Sequence, residues 1–173
     1  WIFKNGYYGC CACGGDPYTG YTAIPCKNGT GLSVPMAIDA GLGQLGRNGL
    51  LITPDFGAGI RIGKVLTDMP LIPDQPIDFG VTEFCESCMR CAKTCEVEAI
   101  SFGDKSFEPP VETGNPGALK WYVNGKACLN YWIESGASCT ACQAVCPFTQ
   151  GRYEVLDPSV VWEMEVAPFG IGG

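Results

Sequence analysis

The residues of this chain best suited to chemistry are its cysteines, and their spacing says which chemistry. The first run is Cys85-x2-Cys88-x2-Cys91-x3-Cys95, and the second is Cys128-x10-Cys139-x2-Cys142-x3-Cys146-Pro147. Three thiolates spaced by two residues in a loop converge on one iron–sulfur cube without strain. The next cysteine is expected to start a helix and to point at the neighbouring cube, so two-cluster chains exchange their fourth ligands. The spacing therefore predicts one 4Fe-4S cluster on Cys85, Cys88, Cys91 and Cys146. A second is expected on Cys95, Cys128, Cys139 and Cys142, with Cys128 replacing the usual first ligand from a distance. Two other uses of such thiols are a disulfide framework and a pair of zinc sites. Zinc knuckles rarely carry paired runs of this form.

Glu96 follows Cys95 where the bacterial run has Pro, whereas Pro147 follows Cys146 as that run requires. A carboxylate beside a cluster disfavours an added electron and lowers its potential. The alternative is a solvated surface glutamate. Cys10, Cys11, Cys13 and Cys26 lack the spacing of a cluster loop. They read as unligated thiols, with a third metal site as the alternative.

The chain has 12 Cys and no His in 173 residues. That removes imidazole acid–base chemistry, most catalytic zinc sites, His-ligated haem and a histidine ligand to a corrinoid cobalt. A hydrophobic share of 46% permits a real core. The net charge of -7 and the lack of a basic patch exclude nucleic acid as an expected partner. No apolar run approaches the roughly 18 residues of a membrane span. The chain begins at Trp1 and reads as a piece of a longer protein, so the lack of a visible targeting signal says little about location.

The elements that must position these cysteines are short. Residues 1–32 read as loop, with a short strand at Tyr21–Pro25. Ser33 to Ala40 has helical apolar spacing, with Ser33 as N-cap, Pro35 in the first turn and Gly41 as stop. Leu50–Thr53 and Gly59–Thr67 read as strands around a turn at Pro54–Gly57. A proline-rich connector, Pro70 to Pro76, precedes the cysteine-rich half. Residues 128–136 read as a short helix, and the chain after Arg152 as an apolar tail. Gly41, Gly43 and Gly46 form a G-x-G-x-x-G that follows a helix and not a strand, which argues against a dinucleotide fingerprint. Bare glycine backbone there lies close either to a large flat cofactor or to a packed helix.

From Gly20 onward the chain resembles the corrinoid-dependent reductive dehalogenases. The resemblance rests on GYTAIPCKN (20–28), AIDAGLGQLGRNGLLITPDFG (37–57), IRIGKVLTDMPL (60–71), PIDFGVTEFC (76–85), the two cysteine runs and KWYVNGKACLNYWIESG (120–136). It covers roughly residues 20–150 and the C-terminal portion of the family's length. It implies an α+β chain with three parts. Residues 1–75 are a partial corrinoid-binding, nitroreductase-like α/β region, 76–152 a ferredoxin-like two-cluster domain, and 153–173 a tail. It further implies a base-off cobalamin fed by two 4Fe-4S clusters, and an organohalide substrate. An electron donor or membrane anchor protein is the implied partner, on the outer face of the cytoplasmic membrane. Oligomeric state stays open. Residue by residue, the resemblance places Asn28 and Arg61 on the substrate or halide side, Arg61 on a strand. Ser33, Gly41, Gly43 and Gly46 fall beside the corrinoid. The family's proton-donating Tyr has no counterpart at the expected place near residue 1. A plain two-cluster carrier and an epoxyqueuosine reductase-like enzyme are the alternatives. The residues preceding the clusters argue against the first, and the acidic balance against the second.

Overall fold

The computed structural model describes residues 1–11, 33–111 and 116–151. Within them, short helices and two small sheets surround the cysteine runs. Strand β1 (Gly9–Cys11) pairs antiparallel with β4 (Val65–Thr67), and β2 (Gln44–Leu45) pairs antiparallel with β3 (Leu51–Ile52). The helices are α1 (Ser33–Asp39), α2 (Val81–Cys88), α3 (Arg90–Thr94), α4 (Gly125–Ser135) and α5 (Ala141–Ala144). The expected strand at Tyr21–Pro25 and the tail after Arg152 lie outside the described residues.

Helix α1 forms and stops where its sequence dictates. Gly41 adopts φ 70, its N–H bonds Ile38 O at 3.0 Å, and the Leu42 N–H reaches back to Ala37 O at 3.0 Å. These two bonds satisfy carbonyls that the helix end leaves open.

The expected hairpin of 50–53 with 59–67 does not form. Leu51–Ile52 turns back on Gln44–Leu45, because Asn48-Gly49 supplies a tight turn just before it. Gly49 takes φ 73 and its N–H closes on Gly46 O at 3.0 Å. Only Val65–Thr67 of the longer predicted strand is extended in a sheet. It pairs with residues 9–11, a stretch whose sequence reads as loop.

Helix α4 begins three residues earlier than expected. The Asn124 side chain accepts the Ala127 N–H at 3.1 Å, a cap that contributes about 1 kcal/mol. The residue following α4 is Gly136, at φ 66.

The core draws on both sides of the proline-rich connector. Ile52 and Ala58 pack with Val81, Cys146 and Phe148. Phe148 receives the rings of Phe79 and Phe84 edge-on, at 6.0 and 5.2 Å. Gln44 adds a polar staple: its Oε1 accepts from Phe79 N at 2.8 Å and Val81 N at 3.2 Å, satisfying the open start of α2. Among the described residues no helix is long and apolar enough to cross a membrane.

Candidate metal centre

The first cysteine run is not a loop. It is two short helices, α2 carrying Cys85 and Cys88 and α3 carrying Cys91, broken at Met89. Met89 takes the left-handed φ of 48, unusual for a side-chain-bearing residue. Cys95 and Cys146 also differ from expectation: each comes just after a helix and does not start one. Helices α3 and α5 lie against each other, which brings the ends of both runs together.

The cysteines gather in two quartets that interleave along the chain. Cys85, Cys88, Cys91 and Cys146 line one small cavity, with Arg47 and Arg90 in its wall. The charges of Cys146 and Cys88 bear on Cys85, and those of Cys85, Cys88 and Cys146 bear on Cys91. In the second quartet, Cys139, Cys128 and Cys95 bear on Cys142, and Cys95 and Cys139 bear on Cys128. Cys142 also reaches Cys91, so the two sites are neighbours.

None of the eight is in a disulfide, which removes the disulfide framework. Among the described residues, no three His, Cys, Asp or Glu side chains converge tightly enough to hold one metal ion. A four-iron cube carries its thiolates at separate corners, further apart than the ligands of a single zinc.

Burial dominates the titration of these thiols. It pushes Cys85 up to about 11, Cys91 to about 12 and Cys142 to about 11. Cys88, Cys128 and Cys146 move upward for the same reason. Four such groups cannot all ionise in one cavity unless a cation joins them, and loading iron must release their protons. N–H donors stand ready for the thiolate form. Phe148 and Thr149 donate to Cys146, Arg90 donates to Cys88, and Ala99 donates to Cys95 at 3.2 Å.

Arg47 is a functional candidate that the sequence does not single out. It is 2% exposed. Its Nε donates to Cys85 O at 2.9 Å, Nη1 to Ser101 O at 2.8 Å and Gly103 O at 3.0 Å, and Nη2 to Glu86 O at 3.3 Å. Hydrogen bonds from a charged donor contribute about 1.5–3 kcal/mol each. Its guanidinium also lies 4.3 Å from the Trp121 ring centre. The available signal is a lone cation inside an apolar, glycine-punctuated stretch, which has to find partners if it is buried.

Glu96 is exposed, and its Oε2 accepts the Tyr131 hydroxyl at 2.8 Å. It is therefore neither bare in solvent nor buried against a cluster. The bond and the Glu96 charge push the Tyr131 phenol up, with smaller effects from burial, Cys139 and Cys95, which places the pair beside the second quartet.

The remaining candidates are more scattered. Arg61 is exposed, lies in no strand and forms no ion pair among the described residues. Asn28, Cys13 and Cys26 lie outside the described residues. A Cβ added at Gly41 would strike Gln75 O, one at Gly43 would strike Ile52 O, and one at Gly46 would crowd Asn48 and Ile52. Internal packing thus accounts for these glycines. Ser33 lies in the wall of a separate cavity of about 510 Å³, between α1 and residues 118–123, with Asp39, Gly49 and Trp121. The cavity wall is mostly apolar and open to one side, which suits the edge of a large flat cofactor.

These features define a two-cluster iron–sulfur protein. The 4Fe-4S dicluster domain family matches residues 84–149, which include all eight cysteines. The chain is 50% identical over 152 residues to a tetrachloroethene reductive dehalogenase of Sulfurospirillum multivorans, a match covering 88% of this chain and 30% of that protein. It is 31% identical over 163 residues to an epoxyqueuosine reductase of Lactococcus garvieae, covering 86% of this chain and 39% of that one. A solved structure of a catabolic reductive dehalogenase superposes with a TM-score of 0.62 at 26% identity, covering 79% of this chain and 20% of that one. The chain resembles the reductive dehalogenases over most of its own length, and it spans less than a third of the length of the dehalogenases it matches.

Anaerobic reconstitution should load about eight irons and about eight acid-labile sulfides per chain, from two cubes. Two zinc atoms with no sulfide as the stable product would rule the cubes out.

Proposed function

We propose that this chain is the cluster-bearing portion of a reductive dehalogenase. In this reading two 4Fe-4S clusters pass electrons toward a base-off cobalamin, and an organohalide loses its halide there. Cys85, Cys88, Cys91 and Cys146 hold one cluster, and Cys95, Cys128, Cys139 and Cys142 the other. The observation that carries the reading is the pair of interleaved thiol quartets in a chain 50% identical to a tetrachloroethene reductive dehalogenase.

A bound corrinoid supplies the electron-rich metal at which a carbon–halogen bond breaks. The chain has no His to ligate that metal, which suits a base-off cofactor. Ser33 and Gly49, in the wall of the 510 Å³ cavity, would hold the edge of the corrinoid. Gly41, Gly43 and Gly46 act indirectly by keeping the neighbouring loop pressed onto its own chain. The region before the connector is part of a nitroreductase-like α/β domain. By the resemblance to the dehalogenases, Asn28 and Arg61 would serve the halide side, where a guanidinium stabilises negative charge on the departing group. An electron donor or membrane anchor protein delivers the electrons, at the outer face of the cytoplasmic membrane.

Epoxyqueuosine reduction is the second reading, supported by the 31% identical relative. The net charge of -7 disfavours a tRNA partner. Full-length protein loaded with both clusters and corrinoid, and reduced with titanium(III) citrate, decides between them. Chloride release from tetrachloroethene without reduction of epoxyqueuosine in tRNA is the expected result. Nucleoside reduction without halide release would replace the proposal.

A further inference from the structure

The two thiol quartets differ in electrical surroundings. Arg47 and Arg90 stand in the wall of the Cys85/Cys88/Cys91/Cys146 cavity. Arg47 is 2% exposed, and its four side-chain bonds run to carbonyls on α2 and on the segment around Ser101–Gly103. The Trp121 ring, 3% exposed, covers it at 4.3 Å. Its charge is therefore fixed in position and shielded from solvent screening. Beside the second quartet stands the carboxylate of Glu96, held through Tyr131.

We propose that Arg47 is a positioning residue that sets the potential of the cluster on Cys85, Cys88, Cys91 and Cys146 above that of the cluster on Cys95, Cys128, Cys139 and Cys142. The inference rests on the cluster assignment proposed above. Adding an electron to a cube makes it more negative. A buried cation beside it stabilises the reduced form, and a carboxylate opposes it. Donors to the sulfurs act in the same sense. In the first quartet the backbone N–H groups of Arg47 and Arg90 serve Cys85 and Cys88, and Phe148 and Thr149 serve Cys146; these donors remain in a side-chain variant, so the Arg47 charge is the part that substitution removes. The thiolate charges of Cys91, Cys85 and Cys88 in turn raise the Arg47 pKa against the larger lowering by burial, in keeping with their proximity. An electron entering the pair consequently rests on the Arg47-side cluster.

The test is a redox titration of the full-length protein with both clusters loaded, followed by electron paramagnetic resonance. The parent should reduce in two steps, and a parent with a single cluster signal would defeat the assignment itself and not the role of Arg47. Arg47→Gln should lower only the higher step, by about tenfold in its reduction equilibrium, or about 59 mV for a one-electron couple. Arg47→Lys should retain most of the parental value because the charge remains. Glu96→Gln should raise only the lower step. Two steps in the parent with both unmoved in Arg47→Gln would overturn the proposal, as would movement of the lower step alone. Glu96 is exposed, so Glu96→Gln tests the ordering even where Arg47→Gln fails to accumulate. A shift of the higher step in Glu96→Gln would overturn it.

Discussion

Cys146→Ser should destroy or convert the cluster on Cys85, Cys88 and Cys91 and leave the Cys139/Cys142 cluster intact, although Cys142 is its neighbour in sequence. The reason is spatial. Cys146 opens into the same cavity as the three cysteines of α2 and α3. Its charge is the largest thiol contribution felt by Cys85. Cys142 instead responds to Cys139, Cys128 and Cys95. Serine is close in size to cysteine, and position 146 is 9% exposed against Ile52, Ala58, Val81 and Phe148. The fold should therefore survive at a cost of about 1–3 kcal/mol for a poorly matched buried hydroxyl. The Phe148 and Thr149 donors that serve the sulfur offer it partners. Iron should fall from about eight toward about four per chain, with one of two cluster signals lost. Loss of the other signal, with the Cys85 cluster untouched, would show that each run keeps its own fourth ligand. The interleaved assignment would then be wrong.

What can be read from the sequence follows from how local each cause is. A ligand spacing such as Cys85-x2-Cys88-x2-Cys91 is fixed by the geometry of a few bonds, so the cysteines and their division into runs stand out in the bare sequence. Helix α1 is legible for the same reason: Pro35 in its first turn and Gly41 past its end act locally, although Ser33 falls inside the helix and not at its cap. Strand partners are not, because pairing is decided at long range. Val65–Thr67 finds Gly9–Cys11 across more than fifty residues, while Ile60 to Lys64 stay outside any strand. The break at Met89 is also hidden, since few side-chain-bearing residues take a positive φ and nothing in the local sequence announces one. Arg47 is easily overlooked because the glycines around it draw the eye. Those glycines are there for packing, and the turn they permit is what carries the guanidinium inward onto α2.

Arg61→Leu in the full-length enzyme should leave both clusters and the corrinoid content intact and slow dehalogenation by roughly 100- to 1,000-fold, on the order of 3 kcal/mol of transition-state stabilisation. In the proposed reaction, negative charge would concentrate in a water-poor pocket as halide departs. A guanidinium there stabilises that state more than the neutral organohalide, so the loss should appear in kcat as well as kcat/KM. Such a role needs a cation that is not already committed elsewhere. Arg61 is exposed on this portion of the fold and commits its charge to no ion pair among the described residues. By contrast, Arg47 has committed its donors to four carbonyls and cannot serve a substrate. The two arginines thus separate cleanly by experiment. Substituting Arg47 should move a cluster potential, whereas substituting Arg61 should move turnover with potentials unchanged. Arg61→Lys should recover only part of the rate, because the charge persists while the planar fork is lost. Parental turnover in Arg61→Leu with cofactors fully loaded would place Arg61 on the protein surface, with an effect of no more than about 1 kcal/mol on stability. The charge on the leaving halide would then have to be met by another group, and Asn28 would be the next position to substitute.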